Sequence, residues 1–187
     1  MTRKIDEIDK KILCILSQDP EVSHTELSKR MKISQPAVSA RIHRLEEEGV
    51  LIHMIGTDIK KTQLFLAKVD ISTDNVEEVL RFLDNCPLYL NSFLTSGTCN
   101  MTVLLVGENI RSIMSCVDSH LRKSLPVKNM EFDLIVTPVR SLIVPIKPTT
   151  EKKRVTSCGA DCDKCTLYMS DRCLGCPISL HYKGNLL

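Results

Sequence analysis

The chain has 187 residues, 43% of them hydrophobic, and a formal net charge of +2 at pH 7. This length suits two small domains and a tail. The small net charge excludes a uniformly cationic surface, so any DNA binding must rest on local segregation of charge. The most apolar part, residues 134–146, is too interrupted by polar residues and prolines to span a membrane. The N-terminus lacks the apolar core of a signal peptide, and we therefore expect a soluble, cytoplasmic protein.

The nine cysteines are distributed unevenly along the chain. Cys14, Cys86, Cys99 and Cys116 are scattered through apolar segments, whereas five cysteines crowd the last thirty residues. An intracellular compartment keeps thiols reduced, so short fixed spacings favour a metal or redox site over structural disulfides. Cys14 and Cys116 fall within apolar helical patterns and are expected to belong to the core.

Three helices are predicted in the first fifty residues. Helical spacing of apolar residues predicts the first over residues 5–16. Ser23 and Glu26 fit a reciprocal capping box that opens a second helix, which ends near Met31. After a short turn, a third helix is expected over residues 34–48. This order of helices and tight turn is typical of a helix-turn-helix.

The third helix has the properties of a DNA recognition helix. The Ser34 hydroxyl is expected to cap its N-terminus, and Gly49 to supply the left-handed residue that ends it. Val38, Ile42 and Leu45 form one apolar stripe, which leaves small, polar and cationic residues on the other side. Short side chains let the backbone approach base edges while arginines reach bases or phosphates. The alternative is an ordinary amphipathic surface helix.

A β-rich segment follows the three helices. Residues 50–55 precede Gly56 and are predicted to form the small strand of a wing. The first domain is therefore placed at residues 1–56.

A change of periodicity marks a second domain over residues 57–144. Its predicted order is βαββαβ, the ferredoxin-like arrangement of a four-stranded antiparallel sheet with both helices on one face, which makes the chain an α+β protein. The open face of this sheet needs a cover, and dimerisation is the usual one. The expected strands are residues 64–70, 88–94, 101–106 and 130–136, and the expected helices begin at the capping residue Asp74 and at residue 108, the second running to 125.

The last part of the chain differs in composition from both domains. Residues 145–157 are rich in proline, threonine and lysine without periodicity, which predicts an extended linker. Residues 158–187 form the cysteine-rich tail.

Three sequence motifs carry a resemblance to a known family: IDEIDKKIL at residues 5–13, ELSKR at 26–30, and SQPAVSARIHRLEEEGVL at 34–51. Together with the order of the domains, they resemble the leucine-responsive (Lrp/AsnC) family of prokaryotic transcription regulators over roughly residues 4–140. The resemblance implies two partners, double-stranded DNA and the chain itself. It also implies dimers that can assemble further and that bind pseudo-palindromic sites.

The resemblance places six residues of the third helix at or near DNA: Ser34, Gln35, Pro36, Ser39, Arg41 and Arg44. Gln35, Ser39 and His43 suit base edges, whereas Lys32 and the two arginines suit phosphates. Arg41 could instead pair with an acidic neighbour. In a two-fold dimer the half-sites would lie roughly 34 Å, or a multiple of it, apart along the duplex.

The candidate effector pocket comprises Gly97, Cys99 and Asn100. Family members that bind amino acids tend to have a glycine, a nearby aromatic residue and an aspartate in this loop. Asn100 offers no carboxylate for the ammonium group of such an effector, which argues against an amino-acid ligand. Cys99 is either a reactive thiol or an inert, half-buried one.

The tail carries the strongest site signal in the chain. Its cysteines stand in the pattern C-x3-C-x2-C-x7-C-x2-C, which resembles small cysteine-rich metal-binding modules, and two C-x-x-C pairs let the thiolates of each turn face one metal ion. Zn²⁺ is the first choice, a [4Fe–4S] cluster the second and a metal-free dithiol switch the third. Since a structural zinc site needs four ligands, the fifth thiol suggests metal exchange or disulfide formation. The candidate ligands are Cys158, Cys162, Cys165, Cys173 and Cys176, with His181 as a further possibility.

Three functions are compatible with these features. The leading hypothesis is a sequence-specific transcription regulator, not an enzyme, whose DNA affinity depends on the metal or redox state of the tail. The second is an enzyme like the siroheme decarboxylases, which resemble the same two-domain family, but His120 is the single histidine available for the pocket of the second domain. The third is an architectural DNA-binding protein without an effector.

Overall fold

The computed structural model describes residues 5–122, 125–145, 151–156 and 159–184. The chain divides into two compact units, Met1–Met54 and Ile55–Leu187. No helix among the described residues is long and apolar enough to cross a membrane.

The N-terminal unit contains the three predicted helices, which we call α1 (Glu7–Gln18), α2 (His24–Met31) and α3 (Gln35–Glu47). The apolar stripe of α3 faces α1 and α2, as its spacing predicted. The fully or largely buried side chains of this core are Ile12, Leu16, Leu27, Val38 and Ile42.

The helix ends differ in part from the predictions. Gly49 has a φ of +66° after the end of α3, as expected, and Lys32 ends α2 in the left-handed region with a φ of 55°. Ser34 occupies the N-cap position of α3, but its side chain makes no capping hydrogen bond. Ser23 accepts from the backbone N–H of Glu26, but the carboxylate of Glu26 bonds Arg30 instead of returning to Ser23, so the predicted capping box is only half formed.

Cys14 is exposed, so its prediction as a core residue is wrong. It lies two residues from both Ile12 and Leu16, which are the buried positions of α1. Two residues correspond to about 200° of helix rotation, which turns Cys14 away from the core.

The strand predicted over residues 50–55 is absent, and Ile52 and Ile55 are 73% and 98% exposed. Within the described chain the segment lacks a neighbouring strand, and a strand needs one to satisfy its backbone groups. A short strand begins later: β1 (Thr57–Asp58) pairs antiparallel with β6 (Ile143–Val144). The glycine at position 56 permits the close approach of β1 and β6, since a Cβ there would lie 2.6 Å from Cγ2 of Ile143.

The second unit has the predicted ferredoxin-like order. Its four-stranded antiparallel sheet has the strand order β3 (Tyr89–Leu94), β4 (Met101–Gly107), β2 (Phe65–Thr73) and β5 (Val127–Ile135). The helix predicted to be capped by Asp74 is instead capped by Asn75, whose side chain accepts from the N–H of Glu78, while Asp74 pairs with Lys128. The elements are β2 (Phe65–Thr73), α4 (Val76–Leu83), β3 (Tyr89–Leu94), β4 (Met101–Gly107), α5 (Ile110–Cys116), which continues through a π-helical turn (Val117–Leu121), and β5 (Val127–Ile135).

One face of the sheet packs on α4 and α5. Alternate residues of β2 and β4 point into this core because side chains on a strand alternate between its two faces. On the other face the alternate positions include charged groups: Lys68 on β2 lies 2.9 Å from Asp70 and 3.0 Å from Asp133 of the neighbouring strand. The buried residues of the core are Ala67, Val69, Ile71, Val79, Leu83, Met101, Val103, Leu105, Ile113, Val117 and Leu121.

Candidate DNA-binding face and cysteine tail

The side of α3 opposite the core is accessible over most of its length. Gln35 and His43 are exposed, and Ser39 between them is half-buried. Their spacing of four residues puts them on one edge of the helix. Lys32, Ser34 and Pro36 are exposed around the start of the helix. The predicted base-edge residues therefore share one accessible edge.

Two of these side chains have neighbours within the unit. The Oγ of Ser39 lies 2.8 Å from Nδ1 of His24 on α2, and Nε2 of His43 lies 3.3 Å from Glu47. His24 was not predicted as part of this face. Because it is fifteen residues from Ser39, local spacing contains no signal for it.

Arg41 and Arg44 point toward α1 and pair with its acidic residues. Nη1 of Arg41 lies 2.6 Å from Asp6 and 2.7 Å from Asp9, and Nη2 of Arg44 lies 2.5 Å from the other oxygen of Asp9. The side chain of Asp9 is fully buried, whereas those of the arginines are 26% and 25% exposed. The alternative role considered for Arg41, pairing with an acidic neighbour, is the one seen here. DNA contact by the two arginines stays a prediction.

Asp6 and Asp9 also cap α1. The Asp6 side chain accepts a hydrogen bond from the N–H of Asp9, and the Asp9 side chain accepts one from the N–H of Asp6. A reciprocal capping box therefore forms at the N-terminus of α1. Sequence reasoning missed both residues. A signal was present, because Asp9 shares the apolar face of α1 with Ile12 and Leu16, and an acidic residue on such a face needs a partner.

The ion pairs shift the pKa values of these carboxyl groups. The N–H of Asp9 and the guanidinium of Arg41 lower the pKa of Asp6 to about 2. Burial by itself would raise the pKa of Asp9, but the N–H of Asp6 and the two guanidinium groups outweigh it and lower the pKa. The two carboxylates correspondingly raise the pKa of Arg41.

We expect acid to destabilise the N-terminal unit. A carboxyl group with a lowered folded pKa contributes stability above its unfolded pKa, and this contribution is lost as pH falls toward the folded value. For Asp6 that window extends from 3.8 down to about 2. Stability should thus be flat near neutrality and fall below about pH 4. Thermal melts followed by circular dichroism will measure this, and Asp6→Asn should reduce the slope in that window. An unchanged slope in the variant contradicts the assignment.

The candidate effector loop is held by backbone contacts. The side-chain amide of Asn100 accepts from the N–H of Thr73 at 3.0 Å and donates to its carbonyl oxygen at 2.8 Å. Asn100 therefore ties the start of β4 to the end of β2. Burial, followed by the carboxylates of Glu131 and Asp70, raises the pKa of the Cys99 thiol, which favours the inert alternative. Gly97 is exposed in the same loop.

The tail folds into two short turns and is part of the second unit. A 3₁₀ turn (Cys162–Lys164) precedes a one-turn helix, α6 (Thr166–Met169). Lys153, which was predicted to lie in an extended linker, bonds through its N–H to the carbonyl oxygen of Ile178 at 2.7 Å. The described residues 151–156 thus pack with the tail.

The tail is docked on α5. The N–H of Leu174 donates to Oγ of Ser112 at 3.3 Å, and the hydroxyl of Tyr182 donates to Glu108 at 2.6 Å. Cys162, in the 3₁₀ turn, and Ser179 are buried. A change in the conformation of the tail would therefore alter its contacts with α5.

The metal ligands predicted for the tail are placed only in part. Cys158 lies outside the described residues. Among the described residues, no three cysteine, histidine or acidic side chains are arranged to hold a metal ion. Gly175, at a φ of +86°, donates its N–H to Sγ of Cys173 at 3.3 Å. His181, the further ligand considered, lies 3.3 Å from Asp163.

These features define a helix-turn-helix DNA-binding protein with a ferredoxin-like second domain. Residues 5–52 match the family model for winged helix-turn-helix DNA-binding domains. The transcriptional regulator LrpA of Pyrococcus horikoshii is 33% identical over 119 residues, which are 59% of this chain and 84% of LrpA. The chain belongs to the Lrp/AsnC family of transcription regulators.

Other relatives agree with this assignment. The transcriptional regulator AzlB of Bacillus subtilis is 26% identical over 150 residues, 76% of this chain and 96% of AzlB. The structure of AsnC from E. coli shares the fold with a TM-score of 0.65 at 14% identity, covering 74% of this chain and 96% of AsnC. LrpA and AzlB are transcriptional regulators, which supports the expectation that the chain is not an enzyme and gives no support to the siroheme-decarboxylase alternative.

Proposed function

We propose that this DNA-binding regulator changes its affinity for specific sites with the metal or redox state of its tail. The observation that carries the proposal is the docking of the tail through Ser112 on α5 and Glu108 just before this helix. A free tail could change its ligands without effect on the domain. A docked tail instead transmits a change in its own fold to the helix that it covers.

Metal binding is a suitable input because the tail has little core of its own. Its buried apolar side chains in the described part are Cys162, Pro177 and Ile178. A segment with so few buried groups gains most of its folding free energy from a ligand that binds only the folded form. Zn²⁺ is the first choice and a [4Fe–4S] cluster the second. The proposed ligand pool is Cys158, Cys162, Cys165, Cys173 and Cys176.

In this proposal, DNA affinity depends on the distance between the α3 helices of two copies of the chain. We propose that the chain acts as a dimer or higher homo-oligomer, because the sheet face away from α4 and α5 exposes Phe93 to 51% and needs a cover. Two recognition helices must reach half-sites about 34 Å apart, or a multiple of that distance. A shift of α5 that alters this spacing by a few ångströms would change affinity without touching any DNA-contacting residue.

The test is DNA binding by the full chain in three states. DNA fragments are first selected from a random pool with the zinc-loaded protein. They are then titrated with three preparations of the chain: anaerobically reduced and zinc-loaded, stripped of metal by a chelator, and treated with peroxide. We expect stripping or oxidation to change the affinity by about tenfold or more, equivalent to about 1.4 kcal/mol of coupling. Fluorescence anisotropy of labelled duplexes at one fixed salt concentration measures it.

A variant with serine at all five tail cysteines provides the control, since its affinity should be equal in the three states. Equal affinity of the natural chain in all three states would refute tuning by the tail. It would leave the assignment to a family of DNA-binding regulators intact.

A further inference from the structure

A cavity of about 60 Å³ lies between the ferredoxin-like domain and the tail, and cysteines from both parts face it. Two come from the domain, at the start of the α4–β3 connection and at the end of α5. Four come from the tail. The cysteines that line it are Cys86, Cys116, Cys162, Cys165, Cys173 and Cys176.

The domain pair already has the spacing of two ligands on one metal ion. Sγ of Cys86 lies 3.9 Å from Sγ of Cys116. Two thiolates bound to tetrahedral zinc at about 2.3 Å are separated by about 3.8 Å. A disulfide requires about 2.05 Å between the sulfurs. The pair therefore fits a shared metal ion without further movement, whereas a disulfide needs the two sulfurs to close in.

Cys116 lies at the end of a helix, and Cys86 lies in a hydrogen-bonded turn directly after another. Cys116 is the last residue of α5, and the N–H of Cys86 bonds to the carbonyl oxygen of Leu83 at 2.8 Å, which fixes the turn after α4. A ligand on a helix holds its position better than a ligand on a loop, and the hydrogen bond to Leu83 limits the movement of Cys86. The domain thus offers a rigid pair, and the tail supplies the adaptable part of the site.

The residues that line the cavity determine which class of metal ion would bind there. Among the described residues that line it, none is Asp or Glu, while Pro87, Leu88, Leu167 and Ile178 contribute apolar walls. Magnesium and calcium need oxygen ligands, so a sulfur-lined apolar site disfavours them and favours zinc and other thiophilic ions.

We propose that Cys86 and Cys116, with two thiolates of the tail, form a tetrahedral zinc site that clamps the tail to α5. This inference rests on the proposed function, because it names where the metal input acts. Four thiols bind one Zn²⁺ as thiolates and release four protons, with no change of oxidation state. Among the described residues, no three candidate ligands surround one point. Binding of Zn²⁺ therefore has to bring the cysteines of the tail closer to Cys86 and Cys116. Cys116, which was expected to belong to the core, is half-buried at the end of α5, and in this proposal it is a metal ligand.

The first test labels the cysteines of the natural chain. Anaerobically reduced protein is alkylated with iodoacetamide, with and without one equivalent of Zn²⁺, and each cysteine is quantified by mass spectrometry. We expect zinc to slow the labelling of Cys86 and Cys116 at least tenfold, together with tail cysteines. The exposed Cys14 and the loop residue Cys99, which do not line the cavity, should label at equal rates in both samples.

The second test uses variants and a spectroscopic probe. Co²⁺ titration of the full chain reports thiolate ligands through the sulfur-to-cobalt absorption band. The double variant Cys86→Ser, Cys116→Ser should bind Co²⁺ at least tenfold more weakly and with a weaker band, while the matched double variant Cys14→Ser, Cys99→Ser should equal the natural chain. Circular dichroism checks that both variants are folded.

The results separate this inference from the proposed function. Unchanged Co²⁺ affinity and band in the Cys86/Cys116 variant, with unprotected Cys86 and Cys116 in the natural chain, overturn the shared site. They leave a tail that binds metal through its own five cysteines and still tunes DNA binding. Normal protection of the pair combined with a DNA affinity that ignores zinc supports the site and overturns its regulatory role.

Discussion

Replacing Asp9 by alanine is expected to lower the free energy of unfolding of the N-terminal unit by about 3 kcal/mol, because it leaves two half-buried guanidinium groups without their shared carboxylate. Asp9 is fully buried and bonds both Arg41 and Arg44. Nε of Arg44 is itself buried without a hydrogen-bond partner among the described residues, so this side chain depends strongly on Asp9. The variant also loses half of the capping box of α1.

Hydrogen exchange of the full chain, read by mass spectrometry over residues 5–54, measures the change. Glu7→Ala is the matched control, since Glu7 is in the first turn of the same helix, is exposed, and pairs only with the exposed Lys10 within the described chain. It should change stability by less than about 0.5 kcal/mol. A loss for Asp9→Ala no greater than that of the control would show that the buried ion pairs do not hold the unit together.

Replacing Gln35 by alanine is expected to weaken binding to the selected DNA by about 10- to 100-fold, the equivalent of about 1–3 kcal/mol. Gln35 is exposed at the start of α3, where the recognition helix of this motif contacts base edges. Its amide can bond the N6 and N7 groups of adenine in a bidentate manner. The affinity of the variant for random DNA should fall only slightly, because its contacts to phosphates are retained.

Gln18→Ala is the control for Gln35→Ala, since Gln18 is an exposed glutamine at the end of α1 rather than on α3. Titrations of selected and random duplexes at the same salt concentration give the specificity ratio of each variant. If Gln35→Ala weakens both duplexes equally, Gln35 contacts the backbone and not a base. If it weakens neither, the edge formed by Gln35, Ser39 and His43 is not the face that reads DNA.

The ion pairs of α3 change which residues are available for DNA. Two of the three cations assigned to phosphates, Arg41 and Arg44, have their charges matched by Asp6 and Asp9, whereas Lys32 is exposed beside the turn. The pairs fix the orientation of α3 against α1, so they position the recognition edge even without touching DNA. The presence of arginine on a recognition helix therefore does not by itself establish a phosphate contact.

The three helices of the first unit and the ferredoxin-like order of the second could be predicted from the amino-acid sequence. These features follow from local periodicity, because the repeat of apolar residues fixes which side of each helix or strand is buried. It also located the cysteine tail by spacing alone. The prediction failed at residues 50–55, since a β-rich composition forms a strand only where a partner strand is available.

The contacts between side chains that are distant in sequence could not be predicted, because they depend on how the helices and strands pack. Asp9 and Arg41 are 32 residues apart, and Cys86 and Cys116 are 30 residues apart. The spacing of residues along the chain specifies a face of a helix, but it does not specify which other face will pack against it. The carboxylate that holds the recognition helix and the thiol pair beneath the tail arise from such packing, and they became visible only when the elements were brought together.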